Sequence, residues 1–284
     1  MTMHNDERLT ARRVVVLLDG SRRAQRLLDE AARLAKREDA ELVGLFVEDT
    51  ELLRAASLPF GGEIGLVSGS LRTVAPETLE RRLRQQAQQL QALLAAAAGR
   101  HALRWRLEVN RDRLEAAALA ATVADDLLVV YRAGWRHPPE GGFASRTLSR
   151  MLGAARCRVV MVGERPAAGA RPVVVFHTPG EAGQRAMNEA LRLARITHQQ
   201  LLVLLPGSGE QDDRTRAAIE AWGARRGLEP RCIAFQGEGV ASLVALLGRE
   251  RAGALVLPRE HALLRGAAGE RLLEESAAAL IVVP

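Results

Sequence analysis

Cysteine is almost missing from this chain. Cys157 and Cys232 lie far apart and without metal-ligand spacing, which excludes a disulfide framework or a cysteine-bound zinc and leaves two reduced, partly buried thiols as the expectation. Lysine is scarcer still: Lys36 is the only one among 40 basic residues, so no Walker lysine is available to hold a phosphate. An arginine bias this complete reads as genomic rather than functional. No stretch has the length and apolarity of a membrane span, and Met1 to Arg12, with Asp6, Glu7 and Arg8, has no apolar core of a secretory signal. The expected location is cytoplasmic, with no membrane partner. The six histidines show no HExxH or i, i+4 pairing, and no Gly-x-Ser-x-Gly elbow occurs. Neither a metal site nor a catalytic residue is therefore expected, and an enzyme is not the favoured reading. The net charge of +6 comes from arginines that alternate with Glu and Asp along helices, which argues against a nucleic-acid-binding face.

What is present is an apolar strand with a polar tip, written twice. Arg13-Val14-Val15-Val16-Leu17-Leu18 runs into Asp19-Gly20-Ser21; the echo is Arg171-Pro172-Val173-Val174-Val175-Phe176, which runs into His177-Thr178-Pro179-Gly180. The following helix repeats too, since Gln25, Arg26, Glu30, Ala31, Arg33, Leu34 and Ala35 recur as Gln184, Arg185, Glu189, Ala190, Arg192, Leu193 and Ala194, each 159 positions on. Later the offset falls to 126, with Leu107 matching Ile233 and Leu114 matching Val240, so 33 residues are missing from the second copy. At 284 residues the chain suits two domains, 1–165 and 170–284, joined by the Pro- and Ala-rich Glu164 to Arg171.

Apolar periodicity alternates between strand and helix: strands at Glu41 to Val47, Leu103 to Val109, Leu127 to Tyr131 and Arg158 to Gly163, and helices from Arg22, Pro76 and Leu114. Proline at Pro76 and glycine at Gly99 bracket a long amphipathic helix. The irregular 48–75 reads as an inserted loop or short helix, packed on its own domain or covering a cleft. Alternation of this kind calls for a parallel sheet with right-handed crossovers, an α/β fold.

Ligands in such sheets bind beyond the carboxyl ends of the strands, where Asp19-Gly20-Ser21 lies. A carboxylate there accepts from an adenine amino group or a ribose hydroxyl, while the helix N-terminus offers N–H groups to anionic oxygens. The same triplet also suits simple helix capping, and alone it favours neither reading. His177 and His261 fall at the corresponding edge of the second sheet, Arg146, Arg150, Arg156 and Arg158 read as helix-surface charges, and Asp125-Asp126 and Glu274-Glu275 read as solvated ends.

With Val14 to Ser21, the helix ending Glu-Ala-Ala-Arg-Leu-Ala, Glu41 to Val47, Ala-Asp-Asp-Leu-Leu-Val-Val and Ala-Arg-Cys-Arg-Val-Val-Met-Val in this order, the chain resembles the universal stress proteins in their tandem, two-domain form over nearly all of residues 12 to 284. The resemblance implies two Rossmann-like domains, each a mainly parallel five-stranded sheet, related by a pseudo-twofold. Strands Arg158–Gly163 and Ala279–Val283 would pair across it, an intramolecular pseudo-dimer, with a homodimer of the whole chain and an unidentified protein partner as further implied associations. It also implies an adenine-nucleotide site in the first domain, for ATP or AMP with magnesium accompanying ATP, built from Leu18, Asp19, Gly20, Ser21, Val47, Val130, Gly134, Gly142, Ala144 and Ser145. ATP-binding relatives carry Gly-x2-Gly-x9-Gly-Ser/Thr; here the register reads Tyr131-x2-Gly134-x9-Ala144-Ser145, and a Cβ at Tyr131 and Ala144 hinders close backbone approach. In the second domain His177-Thr178-Pro179 and Pro258-Arg259-Glu260-His261 replace the motif, so that site is expected to be lost. The alternative left open is a nucleotide-independent scaffold with both sites degenerate.

Overall fold

The computed structural model describes residues 11–19, 21, 23–50, 62–64, 71–73, 76–132, 145–163, 171–207 and 210–284. The chain divides into two compact units, 10–129 and 130–284, the second also taking in 1–9.

In the first unit, strand β1 (Arg13–Leu18) is followed by helix α1 (Ala24–Glu38), β2 (Glu41–Asp49), the short β3 (Gly62–Ile64) and β4 (Leu71–Thr73), α2 (Pro76–Gly99), β5 (Trp105–Asp112), α3 (Leu114–Ala121) and the start of β6 (Asp126–Tyr131). The main sheet runs β6-β1-β2-β5, all parallel. Val14 to Leu18 are buried throughout rather than alternately, because a parallel strand covered by helices meets apolar neighbours on both faces. Leu27, Leu28, Ala31 and Ala35 line the buried side of α1. Gly44, in the middle of β2, makes room for α2 and for its neighbouring strands: a Cβ there would stand 2.9 Å from Leu94 Cδ2 and 3.0 Å from Leu107 Cδ1. Within the irregular 48–75 segment, β3 and β4 form an antiparallel ladder with Glu63 opposite Arg72, a hairpin where a loop or short helix was expected; 51–61, 65–70 and 74–75 lie outside the described residues.

The second unit holds the end of β6, then α4 (Ser145–Ala154), β7 (Arg158–Val162), β8 (Val173–Phe176), α5 (Glu181–Thr197), β9 (Leu201–Leu205), α6 (Glu210–Ala224), β10 (Arg231–Ala234), α7 (Gly239–Arg249), β11 (Ala254–Pro258), a 3-10 turn at Ala262–Leu264, α8 (Gly266–Glu275) and β12 (Ala279–Val283). Its strand order is β10-β9-β8-β11-β12-β7. All neighbours are parallel except β12 and β7, which pair antiparallel with Ile281 opposite Val160. That is the pairing implied by the resemblance. The core here is the face of α5, with Ala186, Ala190 and Ala194, laid on Val175, Val203 and Val256.

Apart from the β3–β4 hairpin, the strand and helix order of β1 to β6 is repeated by β8 to β11, and matching details recur. Asp39 and His198, 159 positions apart, both adopt the left-handed conformation, φ 52, at the ends of α1 and α5, where their N–H groups donate back into the last turn. Part of the shortfall in the second copy lies in its second helix, since α6 has 15 residues against 24 in α2.

Candidate functional site

Leu18 ends β1 fully buried, opposite Phe46 of β2, and Val47 follows at the same edge, also buried. Asp19 leaves the strand there. Its Oδ1 accepts from the Ser21 N–H at 3.0 Å, and the Ser21 hydroxyl accepts from the Arg23 N–H at 3.3 Å, two linked turns that lead the chain into α1. These bonds use one carboxylate oxygen of Asp19 and shape the turn before α1, whose N-cap is Arg23 with no side-chain cap hydrogen bond, so Asp19 and Ser21 are not simple caps of that helix. Oδ2 is buried and has no hydrogen-bond partner among the described residues.

The other residues of the expected site divide as follows. Val130 is buried in β6 and belongs, with Ser145 at the first position of α4, to the second unit. Gly20, Gly134, Gly142 and Ala144 lie outside the described residues.

Immediately after β6 comes Arg132, which no motif in the sequence marks. It is 4% exposed. Its N–H donates to the Val162 carbonyl at 2.9 Å, and its Nη2 donates to the carbonyl of Ser276, the residue that closes α8. Nη1 is buried without a partner among the described residues. Burial pushes the guanidinium down to about 10, against a smaller opposing pull from Tyr131. Gly163 leaves the space beside it open, because a Cβ there would stand 3.0 Å from Nη2. The signal that would have found Arg132 is its repeat: Val14 sits opposite Leu127 and Val173 opposite Ala254, a register that equates Arg132 with Arg259. Arg259 donates through N–H to Val283 at 2.7 Å and through Nη1 to Ala155, the residue after α4, at 2.7 Å.

The corresponding edge of the second sheet is filled by side chains. Phe176, at the end of β8, stacks edge-on against Phe235 with centroids 5.4 Å apart and lies 4.9 Å from the ring of His261. His261 is half-buried; its Nδ1 accepts from the Leu263 N–H at 3.2 Å, so the neutral ring carries its proton on Nε2, and burial lowers its pKa from the ordinary value.

Two expectations about charge are corrected. Asp126 is no solvated end: it is 1% exposed and holds Arg13 in a two-pronged pair, Nε to Oδ1 at 3.0 Å and Nη2 to Oδ2 at 2.5 Å, while Val123 N–H donates to Oδ2. Arg158 is no surface charge either. It is buried on β7 and donates to both oxygens of Glu189 on α5, which Arg192 also grips. In each case a strand end that looks terminal in sequence is covered by a neighbouring element. Among the described residues there is no cluster of His, Cys, Asp and Glu able to hold a metal ion, and no helix long and apolar enough to cross a membrane.

Comparison with known proteins gives this arrangement its class. The family model described as the universal stress protein family matches residues 10–163, more than half of the chain. The chain belongs to the universal stress protein family. Its fold is similar to that of a universal stress protein from Archaeoglobus fulgidus, with TM-score 0.75 at 11% identity over 97% of each chain. It is also similar to a putative universal stress protein from Pseudomonas aeruginosa, with TM-score 0.61 at 13% identity over 97% of this chain and 94% of that one. The cytoplasmic domain of a prokaryotic cation chloride cotransporter shares the fold more loosely, with TM-score 0.50 at 9% identity, over 96% of this chain and 95% of that one. Among curated proteins none matches the sequence.

Proposed function

We propose that this is a tandem universal stress protein whose first domain holds one adenine nucleotide, ATP or AMP, at the carboxyl end of β1, and whose second domain has kept the fold and lost the site. The observation that carries the reading is Asp19: one oxygen is committed to the turn, and the other is buried with no donor among the described residues. A buried carboxylate oxygen left without a donor costs about 1–3 kcal/mol, more when charged, so the site favours a ligand that donates to it. An adenine amino group or a ribose hydroxyl does so. Leu18 and Val47 supply apolar strand ends, with magnesium accompanying ATP.

The second domain supports the asymmetry. Thr178 stands where the first copy has Asp19, and Phe176, Phe235 and His261 occupy their own strand edge with mutual contacts. The protein then acts as a cytoplasmic stress-response regulator whose occupancy is read by a protein partner or by a second copy of the chain. A nucleotide-independent scaffold is favoured instead by Tyr131 and Ala144 in place of glycines. Calorimetric titration with ATP and AMP, with and without magnesium, separates the two. Asp19→Asn keeps the acceptor for Ser21 but turns an N–H2 toward the ligand's donor, and it is expected to weaken binding at least tenfold, about 1.4 kcal/mol. Equal affinity in wild type and variant, or no binding by wild type, rejects the nucleotide reading.

A further inference from the structure

Arg132 and Arg259 are the same residue of the repeat, placed alike. Each donates its backbone N–H to the last strand of its own copy, Val162 or Val283, and each sends its guanidinium to the carbonyl that closes a helix of the other copy, Ser276 after α8 or Ala155 after α4. A cation at a helix C-terminus is favourable, and reciprocal placement explains why both copies keep arginine. The copies differ in what meets the rest of the charge. Arg259 keeps 30% of its side chain exposed and has Glu260 Oε1 3.5 Å from Nη2, so solvent and an acid share it. Arg132 is followed by Ala133, is nearly sealed from solvent, and has Nη1 buried without an acceptor among the described residues. A buried cation with an open donor is costly unless an anion completes it.

The copy that retains Asp-Gly-Ser is therefore the copy whose arginine meets no carboxylate among the described residues. We propose that Arg132 is an anion-receiving residue: Nη1 takes an oxygen of a phosphate-class ligand at the carboxyl end of β6, while Nη2 stays on the Ser276 carbonyl. The anion is either a phosphoryl group of the nucleotide proposed above or free inorganic phosphate. In the first case the inference rests on that reading; in the second it does not. The burial that holds the guanidinium near 10 leaves it charged at neutral pH, as the role requires.

The test is thermal unfolding and calorimetry of the full chain with inorganic phosphate and, separately, with ATP at constant ionic strength, using wild type, Arg132→Gln and Arg259→Gln. Wild type and Arg259→Gln are expected to gain several degrees with millimolar phosphate or ATP. Arg132→Gln is expected to lose that gain, with affinity falling at least tenfold. Stabilisation of wild type by phosphate but not ATP keeps the inference and removes the nucleotide reading; equal ATP affinity in wild type and Arg132→Gln keeps the nucleotide reading and overturns the inference. No response of wild type to either anion overturns both. If Arg132→Gln does not fold, Arg132→Lys decides: one ammonium cannot reproduce the planar fork toward both Ser276 and the anion, so affinity is expected to fall several-fold, and an unchanged affinity overturns the inference.

Discussion

At the scale of single residues, buried charges do the most to define this molecule. Asp126 is fully covered and meets Arg13 with both oxygens. Removing the arginine strands a buried carboxylate, which typically costs 3–5 kcal/mol. Arg13 is itself partly exposed, so the lower end applies: Arg13→Met is expected to lose about 3 kcal/mol in urea unfolding, and a loss below about 1 kcal/mol contradicts the assignment. His261 works through pH. Burial lowers its pKa below 6.5, so the unfolded chain takes up the proton first as pH falls. Its contribution to stability is thus present above pH 6.5 and is lost as pH falls from there toward the lower folded value. Protonation at Nδ1 would also remove the acceptor of the Leu263 N–H. Between pH 7.5 and 5 wild type is expected to lose more stability than His261→Gln, measured by chemical unfolding; parallel pH profiles contradict it.

At the scale of elements, boundaries were readable where local chemistry sets them. Pro76 and Gly99 bracket α2 as their helix-starting and helix-ending preferences require, and β12 spans Ala279–Val283 as its apolar run indicates. The burial of Asp126 and Arg158 is not legible locally, because solvation at a strand end depends on what the fold places over it. The Arg13–Asp126 alignment arises from β1–β6 pairing across more than 100 residues, and Glu189 reaches Arg158 from a helix in the other copy. Asp19 shows both sides: the turn is legible in Asp-x-Ser, whereas the burial of Oδ2 appears only once the strand end is built. The β8 to α5 turn carries a packing consequence of its own. A Cβ on Gly183 would lie 1.7 Å from the Thr178 carbonyl oxygen, an overlap that backbone must move to relieve. Gly183→Ala is therefore expected to destabilise by about 1–3 kcal/mol despite alanine's better helix propensity. A stabilised variant in thermal unfolding would show that this turn is not held so tightly.

At the scale of the whole chain, duplication and divergence explain the sequence together. The offset of 159, the paired left-handed helix ends at Asp39 and His198, and the equivalent Arg132 and Arg259 mark two copies of one unit. Divergence is plain at the carboxyl-end edges of β1 and β8. One copy retains Asp19 with an oxygen that has no partner among the described residues, and the other has placed Phe176, Phe235 and His261 there. A symmetric protein would bind two nucleotides, and a pure scaffold none. The most direct measurement is the stoichiometry of ATP or AMP per chain by isothermal titration calorimetry. The account expects one nucleotide per chain, lost in Asp19→Asn and retained in Thr178→Ala; two equivalent sites, or no saturable heat at millimolar ligand, contradicts it.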